Sequence, residues 1–148
     1  MESVVFPSTL ETIGQEAFRG CESLTQIEFT SGSVSIGYQA FYSCASLEKV
    51  DFGEAEVSIG ENAFYNCDLL TKIHIPGTAI VGAYAFAYCG SLESVIIDEI
   101  AGGVADYAFY DCDAITSVEI GKIDGDLTSR NIFYYCDYIQ ELNASSPI

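Results

Sequence analysis

Residues 57–75 read VSIGENAFYNCDLLTKIHI, and the core of this phrase, AFxxCxxLxxI, recurs with small variations in six copies. Six phenylalanines mark the copies: Phe18, Phe41, Phe64, Phe86, Phe109 and Phe133. The intervals between them are 22 to 24 residues. A fixed period of this length is typical of a solenoid, in which each repeat forms one coil and buries its apolar side against the neighbouring coils.

The end of each copy has the alternation of a short β-strand. In Ile73-His74-Ile75, two β-branched residues flank one polar residue, which predicts a strand with one face turned inward. Stacked coils would place these strands in parallel. The predicted strands lie near residues 4–6, 27–29, 50–52, 73–75, 95–97, 118–120 and 142–144. The first strand has no preceding coil in the sequence, so its open edge is a template for end-to-end self-association.

The other half of each coil predicts turns. A glycine before Ala-Phe, as in Gly60, suits either a positive φ or a close approach to the next coil. Ala-Phe then predicts a tight turn or a single helical turn. The fold class is therefore a single right-handed solenoid domain over residues 1–148, with a short parallel β-sheet on one face and turns or short helical turns on the other. After the first strand, the expected repeats lie near 7–29, 30–52, 53–75, 76–97, 98–120 and 121–144.

The charge balance excludes several classes of partner. The 148 residues include 22 acidic and 5 basic side chains, which gives a formal charge of −17. Such a chain repels phosphate backbones, so direct nucleic-acid binding is not expected.

The sequence shows no sign of a membrane span or an export signal. No apolar stretch approaches the roughly 18 residues that a membrane span requires. The N-terminal residues 1–7 lack the basic and long apolar regions of a signal peptide.

Two motifs carry a family resemblance. Val57-x-Ile59-Gly60-x-x-Ala63-Phe64-x-x-Cys67 is followed by Leu70-x-x-Ile73-x-Ile75. Together they closely resemble the BspA-like (Treponema pallidum-type) class of leucine-rich repeats, over residues 4–144. The resemblance implies a surface or secreted protein engaged in adhesion and protein–protein contact, with no catalytic residues in the repeats.

The cysteines share one position in the repeat, at Cys21, Cys44, Cys67, Cys89, Cys112 and Cys136. This favours a ladder of buried free thiols under the turns, where a small apolar side chain with a weak S–H donor fits well. Disulfides between neighbouring rungs are an alternative, since stacked coils bring the Cα atoms to about 5 Å, although parallel side chains suit the required torsion poorly. A metal site has less support, because the closest cysteines are 22 residues apart and no Cys-x-x-Cys or His pair occurs.

The first candidate site is the exposed face of the predicted strands. Its central column consists of Val5, Glu28, Asp51, His74, Ile96, Glu119 and Asn143, flanked by Gln26, Lys49, Lys72, Ser94, Ser117 and Glu141. The family resemblance implies that partners bind on this sheet. The alternative is an ordinary solvated sheet, although the mixture of acids, His74 and an exposed Ile96 differs from a neutral surface.

The second candidate site is a tyrosine stripe that follows the phenylalanine column, at Tyr42, Tyr65, Tyr88, Tyr110 and Tyr134. Tyrosine is favoured at interfaces because it joins a large apolar face to a polar tip. The alternative is that the rings stack along the turns with their hydroxyls in water.

The residues therefore predict a protein–protein interaction module of adhesion type. Catalysis has little support, because His74 is the only histidine and its neighbours supply no nucleophile; no cofactor is expected. Two other functions are open: an acidic decoy that competes for a basic or nucleic-acid-binding protein, and a structural segment of a longer repeat array.

Overall fold

The computed structural model describes residues 2–100, 103–123 and 131–144. In these residues the chain forms a parallel-strand solenoid of about six turns, with the spacing predicted from the repeat. The strands, in chain order, are β1 Ser3–Phe6, β2 Thr12–Ile13, β3 Gln26–Phe29, β4 Ser33–Ile36, β5 Lys49–Asp51, β6 Glu56–Ile59, β7 Lys72–Ile75, β8 Ile80–Val81, β9 Ser94–Ile100, β10 Ser117–Ile123 and β11 Glu141–Ala144.

One face of the solenoid, the strand face, carries the seven strands that the alternation predicts. They form two parallel ladders, β1-β3-β5 and β7-β9-β10-β11. Strands β5 and β7 lie side by side, but within the described residues no backbone pairing joins them. At the other coil boundaries, a carbonyl before one strand accepts two amides of the next coil, as Thr71 does from Glu93 and Ser94. The strand face is thus interrupted between its third and fourth strands.

A second parallel sheet, β2-β4-β6-β8, lies elsewhere on the coil and was not predicted from the sequence. Its inward residues, such as Val57 and Ile59, are buried, whereas Ser58 between them points outward. This sheet runs without a break past the interruption of the strand face, since β6 pairs with β8. The coils therefore remain joined at this level.

The Ala-Phe segments form tight turns, the first of the two predicted alternatives, and no helix occurs in the described residues. The reason lies in the hydrogen bonds. The amide of Phe41 donates to the carbonyl of Ala63 in the next coil at 2.7 Å, so it does not close a helical turn within its own coil. Gln39 and Ser43 on either side have positive φ of 54°, which directs their amides to the next coil as well. Within the described residues, no helix has the length and apolar character that crossing a membrane requires.

The core is a column of stacked phenylalanines. Phe41, Phe64 and Phe86 are fully buried, with ring centroids 5.0 and 5.1 Å apart and nearly parallel planes. The column continues to Phe18 and Phe133 at its ends. Burial of each inner ring stabilises the stack by roughly 1.5–3 kcal/mol.

The glycine column serves the close approach of coils. A Cβ at Gly60 would lie 2.8 Å from the carbonyl oxygen of Ile36, and Gly60 is not among the positive-φ residues. Of the two explanations that the sequence leaves open for this glycine, the structure therefore supports close approach.

Candidate functional site

The strand register brings the predicted central column into one row on each ladder. Val5 pairs with Glu28 and Glu28 with Asp51. His74 pairs with Ile96, Ile96 with Glu119 and Glu119 with Asn143. Because side chains alternate along a strand, the row points outward, while its neighbours Ile27, Val50, Ile73, Val95 and Val118 are buried. The structure thus places the seven central-column residues in two outward rows, one on each ladder.

A groove of about 850 Å³ lies across the interruption between β5 and β7. Its apolar lining includes Val50, Leu69, Ile73 and Ile96. Of these, Leu69 and Ile96 are 45% and 40% exposed. Charged and polar lining residues are Gln26, Glu48, Lys49, Asp51, Lys72 and His74. An apolar centre within a charged border is the composition of a protein-binding surface.

Ion pairs of Lys49 and a hydrogen bond between His74 and Asp98 tie the rim of the groove together. The Lys49 ammonium lies 3.4 Å from a Glu28 carboxylate oxygen and 4.0 Å from one of Asp51. The His74 Nε2 lies 2.8 Å from Asp98 Oδ1 on the next strand. These groups are all exposed, so each pair adds little to folding stability. They fix the orientation of the side chains that a partner would meet.

Leu69 is a groove residue that the sequence reasoning missed. Three other copies have serine in this column, at Ser23, Ser46 and Ser91, and the last two have Ala114 and Tyr138. Leu69 departs from the three serines, and this departure is the signal that could have found it. Asp98, the partner of His74, was also missed, because it lies beyond the predicted strand 95–97.

The tyrosine stripe is a physical stack, which we call the tyrosine ladder: Tyr42, Tyr65, Tyr88, Tyr110 and Tyr134. Tyr42 and Tyr65 stack with centroids 4.8 Å apart. In the fourth copy the ladder position after phenylalanine is the buried Ala87, and the ring of Tyr88 fills the gap, 5.1 Å from Tyr65. The ladder then continues to Tyr110 at 5.6 Å.

Further tyrosines widen the ladder, among them Tyr84 and Tyr107. The ring centroid of Tyr84 lies 5.4 Å from that of Tyr110, and the ring centroid of Tyr107 lies 5.5 Å from that of Tyr134. The sequence reasoning missed both, although they share one column two residues before the phenylalanine. Desolvation raises the pKa of Tyr65, Tyr88 and Tyr110 above the ordinary value; neighbouring phenols and the Asp111 carboxylate raise it further. The hydroxyls are therefore protonated donors at neutral pH.

The cysteines are free thiols, which confirms the preferred interpretation over disulfides. All but Cys21 are buried. Each buried thiol donates to the carbonyl of a phenylalanine in the preceding coil, as Cys67 does to Phe41 at 3.4 Å. Burial raises the pKa of Cys44 to about 11 and that of Cys67 well above its ordinary value. Within the described residues, no group of three or more His, Cys, Asp or Glu side chains could hold a metal ion.

The comparisons with known proteins agree with the repeat geometry. The family model for the BspA-type leucine-rich repeat region matches the chain over residues 1–99 and 57–148, with six copies. The chain belongs to this family. Among curated proteins, no sequence matched this BspA-type chain significantly.

Three solved structures resemble this BspA-type chain. A leucine-rich repeat protein of T. pallidum matches with a TM-score of 0.73 and 28% identity; the match covers 95% of this chain and 68% of the T. pallidum protein. A leucine-rich cell surface protein of Faecalibacterium prausnitzii A2-165 matches with a TM-score of 0.67 and 24% identity; the match covers 86% of this chain and 33% of that protein. A leucine-rich repeat protein of Bacteroides ovatus ATCC 8483 matches with a TM-score of 0.54 and 23% identity; the match covers 99% of this chain and 46% of that protein. The chain therefore spans a third and just under half of the last two proteins, whose likeness concerns the fold alone.

Proposed function

We propose that this BspA-type chain is a protein-binding module that holds its partner in the groove of the strand face. The observation that carries the proposal is the groove itself, where Leu69 and Ile96 expose apolar surface between charged side chains. Neither side chain belongs to the buried core, so the scaffold does not account for this apolar surface. Binding would occur by complementarity across a rigid surface, without a chemical reaction.

The second sheet, β2-β4-β6-β8, offers a weaker surface. Its outward row contains Thr12, Ser35 and Ser58, which are small and polar. The depression there is about 550 Å³ and includes Ile80 as its exposed apolar residue. Hot spots of interfaces are large side chains in a well-packed centre, and this sheet supplies fewer of them. The comparison favours the strand face as the binding surface.

Rigidity supports the same conclusion. The groove residues of β5 and β7 belong to strands whose inner side chains pack into one continuous core. A surface that is already ordered loses little conformational entropy on binding. One solved structure with this fold is a leucine-rich cell surface protein of F. prausnitzii, and we propose adhesion at a cell surface as the setting for this contact.

An acidic decoy has less support on this face. A decoy would present a dense track of carboxylates, but here Lys49 and Lys72 lie between the acids, and His74 and Ile96 interrupt the central row. The row pairs Glu28 with Asp51 on one ladder and His74 with Ile96 on the other. A phosphate mimic would not place an apolar centre between the two.

The experiment starts from proteins captured by the immobilised chain, each then purified and titrated against variants. The triple variant Asp51→Ala/His74→Ala/Ile96→Ala removes the groove contacts without touching the core. The matched control is Thr12→Ala/Ser35→Ala/Ser58→Ala, on the second sheet. The proposal expects at least about a tenfold loss of affinity in the first variant and none in the control. Equal affinity of wild type and the groove variant would exclude the strand face as the binding site.

A further inference from the structure

The tyrosine ladder already holds one cation. The guanidinium of Arg19 lies 5.0 Å from the centroid of Tyr42. Arg19 occupies the column position that precedes Tyr42 in the repeat, so it takes the place of a first tyrosine. Its guanidinium also donates to Gln39 Oε1 at 3.1 Å and lies 3.4 Å from a Glu16 carboxylate oxygen. The end of the ladder thus shows how a ring, an amide and a carboxylate together accept a guanidinium.

Further along, the ladder offers rings and carboxylates in the same combination. Asp111 directly follows Tyr110 in the chain, and its carboxylate contributes to the raised pKa of Tyr65, Tyr88 and Tyr110. Tyr88 is 38% exposed and Tyr134 is 41% exposed. The Tyr88 ring is tilted by 52° and 57° against those of Tyr65 and Tyr110, so parallel stacking does not cover its faces. An exposed acidic column runs beside them at Asp68, Asp113 and Asp137.

We propose that the tyrosine ladder between Tyr65 and Tyr134 is a second binding surface, which takes an arginine-bearing segment of a protein partner. The guanidinium groups stack on the tyrosine rings, as Arg19 does on Tyr42, and Asp111 neutralises their charge. This inference goes beyond the strand-face proposal, since the ladder lies on the turns and shares none of the groove residues.

Arginine fits this surface better than lysine. A guanidinium is planar, weakly hydrated and able to stack on an aromatic face while its edge donates to carboxylates. A lysine ammonium is a compact, strongly hydrated charge and gains less from the rings. The chain's charge of −17 attracts any cation, so a preference for arginine over lysine separates ring stacking from general attraction.

The test uses fluorescent nona-arginine and nona-lysine peptides, titrated with the full chain by fluorescence anisotropy at physiological salt. The proposal expects tighter binding of the arginine peptide. The variant Tyr88→Leu/Tyr110→Leu should weaken arginine-peptide binding by about fivefold or more, because each ring contributes a cation–π interaction. It should leave lysine-peptide binding unchanged. Equal binding of the two peptides, or an arginine affinity indifferent to loss of the rings, would overturn it.

A second pair of variants keeps the test decisive if the leucine variant does not fold. Asp111 has positive φ (54°), a conformation that asparagine tolerates well, so Asp111→Asn removes one charge without straining the turn. Asp51→Asn removes the same charge from the strand face. The proposal expects Asp111→Asn to weaken arginine-peptide binding more than Asp51→Asn does. An equal effect of the two would reduce the binding to net charge and overturn the ladder proposal, while leaving the groove proposal to its own variants.

Discussion

Substitution of Gly60 by alanine tests how closely the coils are stacked. The new Cβ would lie 2.8 Å from Ile36 O, 2.9 Å from Gly37 C and 3.0 Å from Tyr38 N, all of them backbone atoms. Ordinary contact begins at 3.4 Å, so the coils must separate by several tenths of an ångström. Such overpacking costs about 1–3 kcal/mol. The Gly60 N–H to Ile36 O hydrogen bond of 2.8 Å is stretched as well, which adds about 1 kcal/mol.

The same column supplies the control. A Cβ at Gly14 meets nothing within 4 Å, and neither Gly14 nor Gly60 has a positive φ. Gly14→Ala should therefore stabilise the chain by about 0.4–1 kcal/mol through the unfolded state. After the same gain is subtracted, Gly60→Ala should destabilise it by about 2 kcal/mol. Urea unfolding followed by far-ultraviolet circular dichroism measures both. Equal unfolding free energies for the two variants would refute the stacking account.

Three further predictions concern the core and its thiols. Phe64→Ala should lower the free energy of unfolding by about 3–5 kcal/mol. Phe133→Ala should lower it by clearly less, because the Phe133 ring is only partly buried. Equal losses of unfolding free energy for the two variants in urea titrations would contradict the role of the inner stack. Iodoacetamide should label only Cys21 in the folded chain, because the other five thiols are buried. The intact mass of the labelled chain, measured before and after unfolding, checks this. Labelling of several cysteines in the folded chain would be inconsistent with their burial. The folded chain binds the Cys44 proton more tightly than the unfolded chain, since burial raises its pKa from 9.0 to about 11. The contribution of the Cys44 proton to the free energy of unfolding should therefore be fully present below pH 9.0 and be lost as the pH rises through about 11. A urea midpoint that does not fall over this pH range would contradict the prediction.

The strand face follows from the sequence because two regularities coincide. The pleat forces side chains to alternate, so Ile73-His74-Ile75 could be read as in-out-in without a structure. The repeat length then fixed which residues of successive coils pair, as His74 does with Ile96. The outward position of the seven central-column residues could consequently be predicted by counting alone.

The second sheet, the groove and the widening of the ladder depend on relations that no single repeat contains. Strands β2 and β8 have two residues each and are stable only because neighbouring coils flank them. The interruption between β5 and β7 involves two successive coils. The Tyr88 ring lies between those of Tyr65 and Tyr110, with centroids 5.1 and 5.6 Å away, which only the stacked coils reveal. Leu69 left a readable signal, as an apolar residue in a column that has serine in three other copies.

Lysine footprinting tests the strand-face proposal most directly, because the chain has only three lysines. Lys49 and Lys72 line the groove, whereas Lys122 lies outside it on β10 and pairs with Glu99. With a captured partner bound at saturation, acetylation followed by mass spectrometry should show protection of Lys49 and Lys72 and an unchanged rate at Lys122. Unchanged rates at Lys49 and Lys72 in the presence of the bound partner would contradict binding at the groove.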